Sequence, residues 1–201
     1  MKEERDYIQD IAEIRSMMER SSKFLSLSGW AGAMAGIYAL AGGYVAYNML
    51  DFNPDTIYYS SPNLSAVIAV AVLVMVLAIG TAIFLSYRKA NKRDETAWNA
   101  ASRMLLVNMA VPLIAGGILI LILLSKGLVG LVPPLTLLFY GLALYMGSKF
   151  TYDDLKFLGL IQMGLGLLSA GLIAYSLFFW GIGFGVVHIV YGIYMHLRYE
   201  R

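Results

Sequence analysis

Residues Leu64 to Tyr87 read LSAVIAVAVLVMVLAIGTAIFLSY, 24 residues without a single charge. The apolar side chains run on continuously instead of alternating, so a membrane β-strand does not fit them. A helix needs about 20 mostly apolar residues to cross roughly 30 Å of hydrocarbon. Five further segments repeat the pattern, giving predicted spans at Phe24–Asn48, Leu64–Tyr87, Met104–Leu124, Leu128–Gly147, Leu155–Phe179 and Gly181–Leu197. None contains Asp or Glu. The predicted fold is an all-α polytopic bundle of six transmembrane helices (residues 24–201), preceded by an amphipathic cytoplasmic helix (residues 1–23).

Composition agrees with that reading. Of 201 residues, 59% are hydrophobic and 14% charged, and the mean hydropathy is +0.69. Soluble domains have about 25% charged residues. The balance argues against a soluble enzyme and a disordered chain. The lack of Cys argues against thiol redox chemistry and thiolate metal sites.

Lys and Arg set the orientation. The first 23 residues carry Lys2, Arg5, Arg15, Arg20 and Lys23, and the second connection carries Arg88, Lys89, Lys92, Arg93 and Arg103. Lys149, Lys156, Arg198 and Arg201 fall on the same side, and Lys126 alone on the other. With both termini cytoplasmic, fourteen of the fifteen cations are inside. The basic run Arg88–Arg93 adjoins a span, so it reads as an orientation anchor, not a nucleic-acid site. Asp94-Glu95-Thr96 reads as a helix start. The outer connection, residues 50–63, carries turn signals and interfacial tyrosines; a plain ordered loop is expected there, with a cap or vestibule as the alternative.

The arm Met1–Lys23 places Tyr7, Ile11, Ile14 and Met18 at helical spacing. Six acids against five bases disfavour an anionic lipid surface, so the expected partner is the protein's own loops or a second subunit. A cleaved signal peptide is not expected, because the arm is long and acidic.

Small residues mark expected close helix contacts: Gly32 and Gly36 in the first span, Gly166 and Ala170 in the fifth, Gly181 and Gly185 in the sixth. Polar residues inside spans are the candidate site. His188 is foremost, since an ionisable group at mid-depth is a functional hypothesis by default. Asn108, Gln162, Tyr145 and Tyr191 would line a polar pocket or pathway if they converged with it. Each has a structural alternative as a helix-bridging hydrogen bond. His196, eight residues on, reads as interfacial. No metal site, cofactor or catalytic set is indicated.

The stretch Met17–Leu40, MMERSSKFLSLSGWAGAMAGIYAL, resembles the start of small six-span inner-membrane proteins of Bacteroidetes-type bacteria. The resemblance implies a bacterial inner-membrane location and carries no functional residue with it. Two functions follow from the sequence: a non-enzymatic contact module (sensor, regulator or assembly partner), or an oligomeric small-solute or ion pathway lined by His188, Asn108 and Gln162. An intramembrane enzyme built on His188 ranks behind both, because no second catalytic group is placed beside it.

Overall fold

The computed structural model of the chain describes residues 23–92 and 96–200. The arm helix expected over residues 1–23 and the acids at 94–95 therefore lie, apart from Lys23, outside the described residues. The elements are helical throughout: α1 Gly29–Tyr44, α2 Leu64–Lys92, α3 Ala100–Ser125, α4 Val132–Gly147, α5 Leu155–Gly171, α6 Ser176–Trp180 and α7 His188–Tyr199. A π-helical turn, Val45–Met49, extends α1. A π-helical stretch, Gly181–Val187, joins α6 to α7. With a 3-10 turn at Ile173–Tyr175, these last pieces form one rod, Ile173–Tyr199.

Among the described residues, four helices are long and apolar enough to cross a membrane: Leu64–Lys92, Ala100–Ser125, Val129–Phe150 and Ile173–Tyr199. The helix Leu155–Gly171 is apolar but shorter. The first helix is not among the four; five glycines and three aromatic residues dilute its hydropathy over Gly29–Tyr44.

Several boundaries differ from the sequence reading. The first helix begins at Gly29, not Phe24, because Phe24–Ser28 is held as an extended strap. Phe24 N–H donates to the Phe150 carbonyl (2.8 Å), and the Phe24, Leu25 and Leu27 carbonyls accept from Thr151 Oγ1 (2.6 Å), Tyr152 hydroxyl (2.5 Å) and Lys89 Nζ (2.6 Å). These bonds replace the first helical turn. The third helix starts at Ala100, where Asn99 and Ser102 form a reciprocal capping box. The fifth helix ends at Gly171 and the chain turns at Leu172–Tyr175, not near Trp180. There Ser176, fully buried, donates to the Pro54 carbonyl (3.4 Å), fixing the turn under the 50–63 loop. That loop is ordered and packs inward: buried Phe52 clusters with Ala46, Val67 and Val129, and Gly130 N–H bonds the Ile57 carbonyl (3.1 Å).

Packing runs from α2 onto α1, from α1 onto α7 and the π stretch, and separately from α3 onto α4 and α4 onto α5; α6 joins the sixth rod to α4 and α5. The seam between α1 and the sixth rod is closed backbone to backbone. A Cβ on Gly192 would lie 2.4 Å from Ala33 N and 2.6 Å from Gly29 O; one on Gly36 would lie 2.6 Å from Gly185 O. Gly32 faces Gly192 and the His188 carbonyl. The α4–α5 seam is similar, with Gly141 and Gly159 against each other's helices and Gly166 against Pro134 and Leu138. Two of the expected contact positions fall elsewhere. Ala170 is exposed, and a Cβ on Gly181 would meet nothing within 4 Å. The α5 position that turns inward is Ser169, one residue earlier.

Gly192→Val should therefore lower stability by about 1–3 kcal/mol through overpacking, while Gly181→Ala should stay within about 0.5 kcal/mol of wild type. Thermal melting in detergent would check both, and equal losses would contradict this seam.

Candidate functional site

The polar residues meet on one carbonyl. In α4, Tyr140 stands one residue before Gly141, whose missing side chain lets α5 approach. In α5, Gln162 is fully buried on the face between Gly159 and Gly166. In the sixth rod, Gly183 lies in the π stretch and His188 opens α7. Gln162 Nε2 donates to the Gly183 carbonyl at 2.7 Å, and His188 Nδ1 lies 2.8 Å from the same oxygen. A carbonyl only accepts, so Nδ1 carries the imidazole proton. Nε2 is then bare and accepts from the Tyr140 hydroxyl at 3.0 Å. The 3.2 Å approach of Gln162 Nε2 to Nδ1 is two donors crowded onto one acceptor.

This arrangement depends on glycine and on the π stretch. A Cβ on Gly183 would lie 2.5 Å from Leu137 Cδ2 and 2.6 Å from Gln162 Oε1, so no larger residue lets the amide reach the carbonyl. π-helical turns recur at functional sites. Here one presents a backbone oxygen to two side chains. Phe184 stacks on His188 at 5.8 Å and tilts against Tyr140 at 5.1 Å, with Trp180 behind it at 5.2 Å. The imidazole is 4% exposed and walled by aromatic rings. Every hydrogen bond here is neutral to neutral, which suits a low-dielectric interior.

Two buried polar atoms have no partner among the described residues, Gln162 Oε1 and the Tyr191 hydroxyl. Each such group costs about 1–3 kcal/mol when it goes unpaired.

The sequence candidates thus separate. His188 and Gln162 come together, about midway along the sixth rod. Tyr191 follows on the same face of α7 and packs with Tyr140 against Leu144, Leu155 and Leu158. Asn108 does not join: its Nδ2 donates to the Met104 carbonyl of its own helix (2.8 Å), and α3 packs on α4. Tyr145 is 43% exposed, unlike the buried residues of the cluster. Tyr140 and Gly183 complete the site. Tyr140 is legible only as a deep tyrosine needing a partner; Gly183 carries no signal, since the sequence does not announce a π stretch. Among the described residues no group of His, Asp and Glu could hold a metal ion.

A second cluster closes the basic end of the bundle. Glu200 Oε1 accepts from Gly29 N–H (2.8 Å), capping α1, and from Lys89 Nζ (3.0 Å); Oε2 pairs with His196 Nδ1 (2.7 Å). Burial pushes the Glu200 carboxyl up, but the bonds from His196, Gly29 and Lys89 outweigh it and hold the group below the usual carboxylate range. His196 also tilts against Trp30 at 5.1 Å, as an interfacial residue would. Beside this cluster Asp154 Oδ2 accepts from Tyr199 (2.8 Å) and Tyr194 (3.1 Å), with Arg198 at 3.5 Å. A shallow depression of about 360 Å³ opens next to it, lined by Lys23, Leu25, Thr151, Tyr152, Asp153 and Tyr199.

No family model, no curated protein and no solved structure matches the chain.

Two outcomes test these clusters. His188→Leu should cost about 1–2 kcal/mol by stranding Tyr140 and Gln162, whereas Asn108→Leu should be nearly neutral; melting of both variants compares them. Because the folded Glu200 carboxyl sits below its unfolded value, its contribution is complete above the ordinary carboxylate range. It is lost as pH falls through that lowered folded value. Glu200→Gln should melt lower than wild type at pH 7, and the gap should close in acid.

Proposed function

We propose that the protein is a six-span integral protein of a bacterial inner membrane with both termini cytoplasmic, acting as a non-enzymatic contact module. The two shorter rods, Gly29–Met49 and Leu155–Gly171, complete six spans beside the four long helices. Fourteen of fifteen cations then face the cytoplasm. The observation that carries the functional reading is how the interior polar groups are used. His188 Nε2 and the Gln162 amide nitrogen bond to neighbouring helices, His188 Nδ1 bonds a carbonyl of its own rod, and Asn108 bonds its own backbone. At the far end, Phe52 and Pro54 of the ordered 50–63 loop are buried. Groups spent on holding helices together do not line a path from end to end. The acidic, amphipathic arm and the lipid-facing helices then offer the contact surfaces, to a partner protein or a second copy.

The pathway reading keeps one supporting observation, the unpartnered Gln162 amide oxygen. The readings separate in one pair of measurements. Removing residues 1–22 should change the oligomer size or the captured partners in detergent, and liposome flux should equal that of empty vesicles at every pH tried. Flux above that background, abolished by His188→Ala, would replace the contact reading with the pathway.

A further inference from the structure

Gln162 Oε1 and the Tyr191 hydroxyl are the two buried side-chain atoms without a partner among the described residues, the first on α5 where its amide meets Gly183 of the sixth rod, the second on α7 of that rod. The face that bears Tyr191 is set by helical spacing. His188, Tyr191, Met195 and Tyr199 follow one another by three, four and four residues, so they stack above one another along α7. The adjoining stripe, with Gly185, Gly192 and the backbone of His196, is pressed onto α1. The stacked face looks toward α4 and α5. Its upper end is the Gln162–His188–Tyr140 cluster. Its lower end is Asp154 with Tyr194, Tyr199 and Arg198. Tyr191 stands between: it shares an apolar wall with Tyr140, and its ring is 6.4 Å from that of Tyr194.

We propose that this face holds a column of ordered water that enters at Asp154, bonds the Tyr191 hydroxyl and ends at Gln162 Oε1 beside His188. Buried polar atoms left unpaired by protein are the sites that internal waters occupy, each water needing two or more polar partners. Here those partners are supplied in sequence by a carboxylate, three tyrosine hydroxyls and an amide oxygen. The opposite end is closed by the Ser169–Ser176–Pro54 contacts. The column is therefore open at the basic end alone. It goes beyond the contact reading and does not depend on it. One-sided access gives His188 contact with the solvent of the compartment that faces the basic end, without a route across.

The test is hydroxyl-radical footprinting of the full chain in nanodiscs, where a side chain is oxidised only beside water. Corrected for intrinsic reactivity, Tyr191 should be oxidised about threefold or more above the fully buried Leu137. Tyr199→Phe, which loosens the cover over Asp154, should raise that labelling further. A second measurement guards against distortion by the variant. Tyr191→Phe should leave the melting temperature unchanged or lower, because it removes a hydrated hydroxyl. Labelling of Tyr191 no greater than that of Leu137, a raised melting temperature in Tyr191→Phe, or labelling indifferent to Tyr199→Phe overturns the column or its entrance.

Discussion

The seam between α1 and the sixth rod is the constraint from which the rest follows. Gly29, Gly32 and Gly36 meet Gly185 and Gly192 with carbonyls and amides nearly in contact. Where apolar solvent gives helices no reason to associate, closeness of this kind supplies dispersion contacts that larger residues would prevent. It also fixes the rotation of the sixth rod. Once its glycine face is committed to α1, the face bearing His188 and Tyr191 has to turn toward α4 and α5. The polar cluster is a consequence of where the glycines went.

The π stretch makes that geometry compatible with a hydrogen-bonded histidine. Seven residues, Gly181–Val187, present the Gly183 carbonyl to Gln162 and His188 together. One oxygen thereby ties α5 to the sixth rod, and the Tyr140 hydroxyl ties in α4. The bonds are neutral and the surroundings aromatic, so the cluster stabilises without placing a charge in the interior.

The two ends are closed by different chemistry. At the basic end, Lys89 and Glu200 are each 12% exposed at the side chain, and their partners use all three ammonium protons and both carboxylate oxygens. A covered ion pair is costly unless it is satisfied in this way. It anchors the extended strap Phe24–Ser28 and caps α1, so α1 starts five residues later than hydropathy alone suggests. At the other end closure is apolar, with Phe52 and Pro54 folded inward.

Hydropathy, charge placement and small-residue spacing made much of this legible from the sequence. The helical class, the approximate rods and the special position of His188 follow from length, apolar runs and the rarity of an ionisable group within them. Gly32, Gly36, Gly166 and Gly185 stand at seams, since local spacing identifies a face that can approach closely. Ala170 and Gly181 share that spacing but face outward, because spacing does not say which face a neighbour occupies. The turn at Leu172 was hidden, since the residues around it are as apolar as the helices they separate. That Gln162 rather than Asn108 meets His188, and that Tyr140 and Gly183 complete the cluster, depends on the rotation of three rods about their axes. Rotation is set by backbone contacts between segments distant in the chain, so only the tertiary structure decides it.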